Sequence, residues 1–166
     1  MKSRITLLIL LGLLSLPLAV HSGPSVPLAR DLQNEFTSRQ LPLMLVFSAE
    51  HCPYCELLEE EFLKPMLISG DYSDKVIIRK VELDYGTLID FKGQRTTGSE
   101  LADHYDVSVT PTTLFLDAHG RELTKRKVGV GTVEFFGGEL DQSIDRARAK
   151  LHRVKLAVCK RAGTPC

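Results

Sequence analysis

The sequence lacks several features that would point to particular partners. It has no run of basic residues, and its 21 basic and 21 acidic side chains leave a formal net charge of +0. A protein that binds nucleic acid or an anionic membrane concentrates positive charge on one surface, so both are excluded as expected partners. Beyond the first 22 residues, no segment is apolar enough to span a bilayer. We therefore expect a soluble mature protein.

The first 22 residues have the pattern of a secretory signal peptide. Lys2 and Arg4 precede the apolar run 5–14, and small residues follow that run. An uncleaved membrane anchor is the alternative, but the apolar stretch falls short of the roughly 20 residues that cross a bilayer. No cysteine lies near the cleavage zone to carry a lipid. Ala19 and Ser22 both suit the last position before the cut.

Removal of residues 1–22 would leave about 140 residues, and the net charge would fall to −2 because Lys2 and Arg4 are lost. A chain of this length supports one domain with one core and not two. We assign 23–156 to that domain and 157–166 to a C-terminal tail that carries a cysteine pair.

The first half of the domain alternates helical and strand patterns. Leu28, Leu32 and Phe36 recur at the spacing of one helical face and predict an N-terminal helix. The apolar run 43–47 predicts a buried strand. A second helix is expected to begin at Cys52.

Further along the chain, Pro65 is expected to kink or shorten the second helix. Residues 75–83 are rich in β-branched side chains and predict a strand. Residues 84–98 are polar and punctuated by glycine, which predicts a long loop. Thr97 and Glu100 have the spacing of a capping box, which predicts that a short helix begins there.

The last part of the domain again combines strands with a helix. Strand-like runs occupy 114–116 and 128–130. One face of a final helix is predicted by the apolar residues Leu140, Ile144, Ala147 and Leu151.

The motif Cys52-Pro53-Tyr54-Cys55 lies where the first strand gives way to a helix. A helix N-terminus stabilises a thiolate, so Cys52 is the predicted attacking thiol and Cys55 the resolving one. Pro53 suits the first helical position because it has no N–H group to leave unsatisfied. Pro53 and Tyr54 are the predicted substrate contacts within the motif, and an ordinary surface tyrosine is the alternative for Tyr54.

The four cysteines could instead form two structural disulfides, as in many exported proteins. A bridge across two intervening residues closes too small a loop to stabilise the fold much, which favours a redox pair at Cys52 and Cys55. Cys159 and Cys166 are expected to form a second disulfide, either a local tie of the tail or a second redox pair, and free or intermolecular thiols are the remaining alternative. Their spacing does not suit zinc, and Glu56 stands where haem attachment needs histidine, so no metal or other cofactor is expected.

The order of elements and the motifs within 46–55 and 110–117 resemble the thioredoxin fold, an α/β fold with a central mixed β-sheet flanked by helices and a Cys-x-x-Cys at a helix N-terminus. The resemblance implies that the Thr110-Pro111 bond is cis and that Thr110 and Pro111 contact substrate. More narrowly, the segment 84–107 is similar to the periplasmic thioredoxins of bacterial thiosulfate-oxidation clusters.

Two positions, Val46 and His51, depart from the thioredoxin pattern, and a third, Lys80, is affected by the first. Val46 stands where ordinary thioredoxins carry a buried aspartate that accepts the proton of the second cysteine. Lys80 matches the lysine that faces this acid, so it is expected to lack its usual partner. His51 replaces the usual tryptophan and either stabilises the thiolate of Cys52 or is a surface neighbour.

The acids around the motif are expected to tune it. Glu56 and Glu59 should raise the pKa of Cys52 by opposing the helix dipole, which argues against a powerful oxidant. Without an acid at position 46, the proton of Cys55 would pass to water or to Glu50.

These features predict a monomeric periplasmic thiol–disulfide oxidoreductase that acts as a reductase. Its expected clients carry protein disulfides or thiol adducts, with sulfur-oxidation proteins suggested by the narrower resemblance, and a membrane protein would supply electrons. A disulfide oxidase or isomerase is the first alternative, although the length leaves no room for the extra helical or dimerisation domain of such proteins. A binding or chaperone module with a structural disulfide is the second.

Overall fold

The computed structural model describes residues 25–35, 40–84 and 86–162. The predicted leader, Phe36 and Cys166 lie outside these residues. The strands are β1 (Leu43–Ser48), β2 (Ile77–Glu82), β3 (Thr87–Ile89), β4 (Arg95–Thr97), β5 (Thr112–Leu116) and β6 (Lys127–Val128). The α-helices are α1 (Pro53–Leu58), α2 (Lys64–Ser69), α3 (Gly98–His104) and α4 (Val133–Ala162), and a π-helical segment, Glu59–Leu63, joins α1 to α2.

Four of the strands form one mixed sheet in the order β2-β1-β5-β6. Strand β1 is parallel to β2 and antiparallel to β5, and β5 is antiparallel to β6. Every residue of β1 is buried, because this strand has a hydrogen-bonded neighbour on each side and packed side chains on both faces. The predicted central mixed sheet flanked by helices is confirmed.

Side chains of β1 alternate between two hydrophobic clusters, one on each face of the sheet. Leu43, Leu45 and Phe47 pack on the face that is covered by α3 and the segment after it. Met44 and Val46 pack on the opposite face, which is covered by α1, the π-helical segment and α4. The strand thus holds both layers of helices in place.

The helix that follows the cysteine motif is continuous from Pro53 to Ser69 but changes type within its length. In the π-helical segment the N–H of Lys64 bonds the carbonyl of Glu59, five residues earlier. Pro65 follows directly and has no N–H to donate. The irregular segment therefore lies where an α-helical hydrogen bond would be absent in any case. Gly70 ends the helix in the left-handed conformation, with φ at 76°.

Residues 84–98 do not form the predicted loop throughout. Strands β3 and β4 pair as an antiparallel hairpin that is separate from the main sheet. The predicted capping box is confirmed, because the side chain of Thr97 accepts from the N–H of Glu100 and the carboxylate of Glu100 accepts from the N–H of Thr97.

Helix α4 contains the predicted apolar face, with Leu140, Ile144 and Ala147 buried against the sheet. It extends to Ala162, so residues 157–162 of the predicted tail continue the helix. No helix in the described part of the chain is both long and apolar enough to cross a membrane.

The prediction of a helix that carries Leu28 and Leu32 on one face is wrong. Leu28 forms a parallel bridge with Lys80, Asp31 forms one with Ile89, and a turn follows at 32–35. The N–H of Ala29 also donates to the carbonyl of Lys80. This extended segment therefore covers the outer edge of β2, which would otherwise be open to pairing.

Gly98 is fixed by close contact with the end of β2. A Cβ at this position would lie 1.9 Å from the carbonyl oxygen of Glu82, whereas a Cβ at Gly138 in α4 would meet no atom within 4 Å. We predict that Gly98→Ala lowers the free energy of unfolding by about 1–3 kcal/mol, because α3 must move away from β2. Gly138→Ala should raise that free energy by up to about 1 kcal/mol. Urea denaturation of both variants measures these changes, and a Gly98→Ala protein as stable as the parent would contradict the packing.

Candidate active site

The loop that leads to the cysteine motif is tied to the end of β2. The N–H of Leu83 donates to the carbonyl of Ser48, and the N–H of Glu50 donates to the carboxylate of Asp84. His51 follows with φ at 55°, in the left-handed region that non-glycine residues adopt rarely. These constraints fix the turn from which helix α1 begins.

Cys52 is the N-cap of α1 and is joined to Cys55 by a disulfide. Its Sγ also accepts a hydrogen bond from the N–H of Cys55, at 3.2 Å. Pro53 occupies the first helical position, as predicted. Cys52 is partly exposed, whereas Cys55 is only 7% exposed. The two sulfurs therefore differ in access to a substrate.

The segment before β5 brings a second element against Cys52. The Thr110-Pro111 bond is cis, as the resemblance implies. The hydroxyl of Thr110 donates to Cys52 Sγ at 3.5 Å, although 58 residues separate them. The antiparallel pairing of β1 with β5 produces this approach, because the end of β1 lies beside the start of β5.

Exposed apolar side chains occur within the cysteine motif and directly before the cis bond. Tyr54 within the motif is 61% exposed, and Val109 before the cis bond is 52% exposed. Large exposed apolar side chains around a reactive disulfide suit contact with another protein. The role of Tyr54 in substrate binding stays a prediction.

Lys80 lacks the usual acid at position 46, as expected, but it has two other acidic partners. Its Nζ lies 2.7 Å from an oxygen of Glu59 and 2.9 Å from one of Glu82. Burial disfavours the charge on Lys80, but its hydrogen bonds to both carboxylates raise its pKa above the ordinary value. Val46, where ordinary thioredoxins have the acid, pairs with Lys80 across the sheet.

The sequence did not indicate the pairing of Glu59 with Lys80, because the two residues are 21 positions apart on different elements. The sequence did contain a signal for the proximity of Glu59 to Cys55. Glu59 follows Cys55 by four residues, which places both on the same side of a helix.

The remaining predicted residues are placed as follows. The side chains of Glu50 and His51 are exposed, and their tuning roles stay predictions. Cys159 lies in the last turns of α4, whereas Cys166 is outside the described residues, so the second disulfide also stays a prediction. Among the residues that the structure describes, no cluster of three or more His, Cys, Asp or Glu could hold a metal.

The arrangement supports thiol–disulfide exchange. That reaction needs a reachable thiolate, a second thiol that resolves the mixed disulfide, and access for a substrate sulfur. Cys52 at the helix start provides the first, and the buried Cys55 provides the second. Thr110 contacts the sulfur of Cys52, and Cys52 is partly exposed, which provides the third.

Comparison with known proteins gives the family. The family model of a thioredoxin-like domain matches residues 30–144. No curated protein matches the chain.

Solved structures that the chain resembles include thioredoxin O2 from Arabidopsis thaliana in the oxidized state, with 25% identity over 62% of this chain and 75% of that chain and a TM-score of 0.46. Fasciola hepatica thioredoxin has 21% identity over 66% and 83%, with a TM-score of 0.46. An uncharacterized thioredoxin-like protein from Clostridium perfringens has 22% identity over 76% and 90%, with a TM-score of 0.48. Because the domain model spans more than half of the sequence and includes both Cys52 and Cys55, the chain belongs to the thioredoxin-like family and is a thiol–disulfide oxidoreductase.

Proposed function

We propose that this oxidoreductase works in the periplasm as a reductase of protein disulfides or thiol adducts. The observation that carries the proposal is the pairing of a reachable Cys52 at a helix start with a buried Cys55 one turn later. In each cycle the thiolate of Cys52 attacks a client disulfide and releases one client thiolate. Cys55 then attacks Cys52, releases the second client thiolate and leaves the Cys52–Cys55 disulfide.

The surroundings of Cys52 favour the direction of a reductase. A strong oxidant stabilises its reduced form, usually by stabilising the attacking thiolate. Here the first turn of α1 carries the acid Glu56, and the polar contacts to Cys52 Sγ are the hydroxyl of Thr110 and the N–H of Cys55. Neither of these two donors is a cation, so we expect only moderate stabilisation of its thiolate.

The cellular setting in this proposal rests on the sequence. The signal-like residues 1–22 support export, and an exported reductase needs electrons from a membrane donor. The likeness of 84–107 to periplasmic thioredoxins of thiosulfate-oxidation clusters supports a sulfur-oxidation protein as client. In the structure this segment forms the β3-β4 hairpin and α3.

The roles of the two cysteines can be tested by trapping. We predict that Cys55→Ser accumulates a disulfide-linked adduct with a model protein such as insulin, because the variant can attack but cannot resolve. Cys52→Ser should form no such adduct, and both variants should lose turnover. Non-reducing electrophoresis measures the adduct. Equal trapping by the two variants would contradict the assignment of attack to Cys52.

The direction of electron flow can be tested by the reduction potential of the Cys52–Cys55 pair. We predict a value near the thioredoxin range, about −270 mV, in equilibrium with dithiothreitol buffers. A parallel protein with Cys159→Ser and Cys166→Ser isolates this pair from any contribution of the other two cysteines. A value near about −120 mV would assign the protein to the oxidases and refute the proposed reductase.

A further inference from the structure

A cluster of three charged side chains joins the helix that follows the cysteine motif to β2. Lys80 on β2 contacts the carboxylates of Glu59 and Glu82 at once. The three side chains are 17%, 18% and 12% exposed, respectively, so the cluster is largely removed from water. Two carboxylates share one ammonium group, so the cluster as a whole carries one net negative charge.

The cluster lies on the face of the sheet that α1 covers. Residues 78 and 80 alternate to the same side of β2, and Ile78 packs in the hydrophobic cluster with Val46 and Leu58. Lys80 therefore projects toward the helix that carries Cys55, directly beside Val46. The apolar Val46 provides no proton acceptor at this place.

Glu59 is the acid of the cluster that belongs to the same helix as Cys55. Its N–H donates to the carbonyl of Cys55, one helical turn earlier, and side chains four residues apart on a helix are neighbours. Cys55 is buried, so its thiol has poor access to hydroxide or buffer. A buried thiol that must act as a nucleophile needs a nearby base.

We propose that Glu59, held by Lys80, accepts the proton of Cys55 when the mixed disulfide is resolved. In this step the proton passes from Cys55 Sγ to the carboxylate of Glu59, directly or through one water. The thiolate of Cys55 attacks Cys52 Sγ, the Cys52–substrate bond breaks and the substrate leaves as a thiolate. No external oxidant or reductant is needed. The inference rests on the thiol–disulfide exchange itself and not on the proposed direction of electron flow.

The charges around Glu59 suit this role. Lys80 orients the carboxylate, and Glu82 keeps Lys80 neutralised when Glu59 takes up a proton. Glu56 lies three residues earlier on the same helix and is exposed. The variant Glu59→Gln should fold, because Lys80 retains Glu82 as its partner and no buried charge is left alone.

The experiment separates attack from resolution in a single turnover. Reduced protein with Cys159→Ser and Cys166→Ser is mixed with excess dithiobis-nitrobenzoate, whose coloured thiolate is released once when Cys52 attacks and once when Cys55 resolves. We expect Glu59→Gln to slow the second phase about tenfold or more near neutral pH and to leave the first within about twofold. Glu59→Asp, which keeps a carboxylate, should restore most of the second rate.

The pH profile distinguishes proton transfer from a structural effect. Without an internal acceptor the proton must pass to hydroxide, so the second phase of Glu59→Gln should rise about tenfold per pH unit. The parent protein, with its own acceptor, should show a flatter profile. Glu61→Gln is the matched control, because it removes the same charge from an exposed position on the same continuous helix, and both of its phases should match the parent.

Three outcomes would overturn the inference. The first is an unchanged second phase in Glu59→Gln, and the second is an equal loss of both phases, which would indicate a structural role. The third is a slow second phase in Glu50→Gln or Glu82→Gln but not in Glu59→Gln, which would assign the proton to another acid. Absence of the first phase from the parent protein would instead refute thiol–disulfide exchange itself.

Discussion

The site depends on the burial of β1 between two hydrogen-bonded neighbours. Its parallel pairing with β2 places Lys80 and Glu82 beside Val46 and Ser48. Its antiparallel pairing with β5 brings Thr110 to the sulfur of Cys52. Because the side chains on each face of β1 pack in a separate hydrophobic cluster, a one-residue shift of register would place each side chain in the cluster shaped for the other face. The same constraint that forms the core therefore aligns the parts of the site.

The chemistry follows from what lies on each side of the disulfide. Toward solvent, Cys52 is partly exposed, and the side chains of Tyr54 in the motif and of Val109 beside Thr110 are exposed. Toward the core, Cys55 is buried, and Glu59, four residues later on the same helix, belongs to a charged cluster in which Lys80 joins an acid of the helix to an acid of the strand. In the proposed cycle, attack takes place at the surface and resolution takes place at the buried thiol, next to the proposed proton acceptor.

The parts of the fold that the sequence predicted are those with local causes. The cysteine motif at a helix start, the capping box of Thr97 and Glu100 and the apolar face of α4 each depend on residues within a few positions of one another. The β3-β4 hairpin was missed because its strands have three residues each, too few to show an alternating pattern.

The errors of prediction arise where tertiary contacts decide. Leu28 and Leu32 have helical spacing, but the open edge of β2 binds this segment in an extended form. The pairing of Glu59 with Lys80 joins two elements whose separation in the chain gives no periodic signal. The sequence alone showed that position 46 has valine where an acid is usual. Only the structure showed that Glu59 lies beside Lys80 instead.

The central claim is that Cys52 and Cys55 differ in access and therefore in role. Brief alkylation of the reduced protein with iodoacetamide, followed by peptide mass spectrometry, compares the two thiols directly. The account predicts that Cys52 is modified at least about tenfold faster than Cys55, because its sulfur is partly exposed at a helix N-terminus. Equal modification of both cysteines, or faster modification of Cys55, would contradict it.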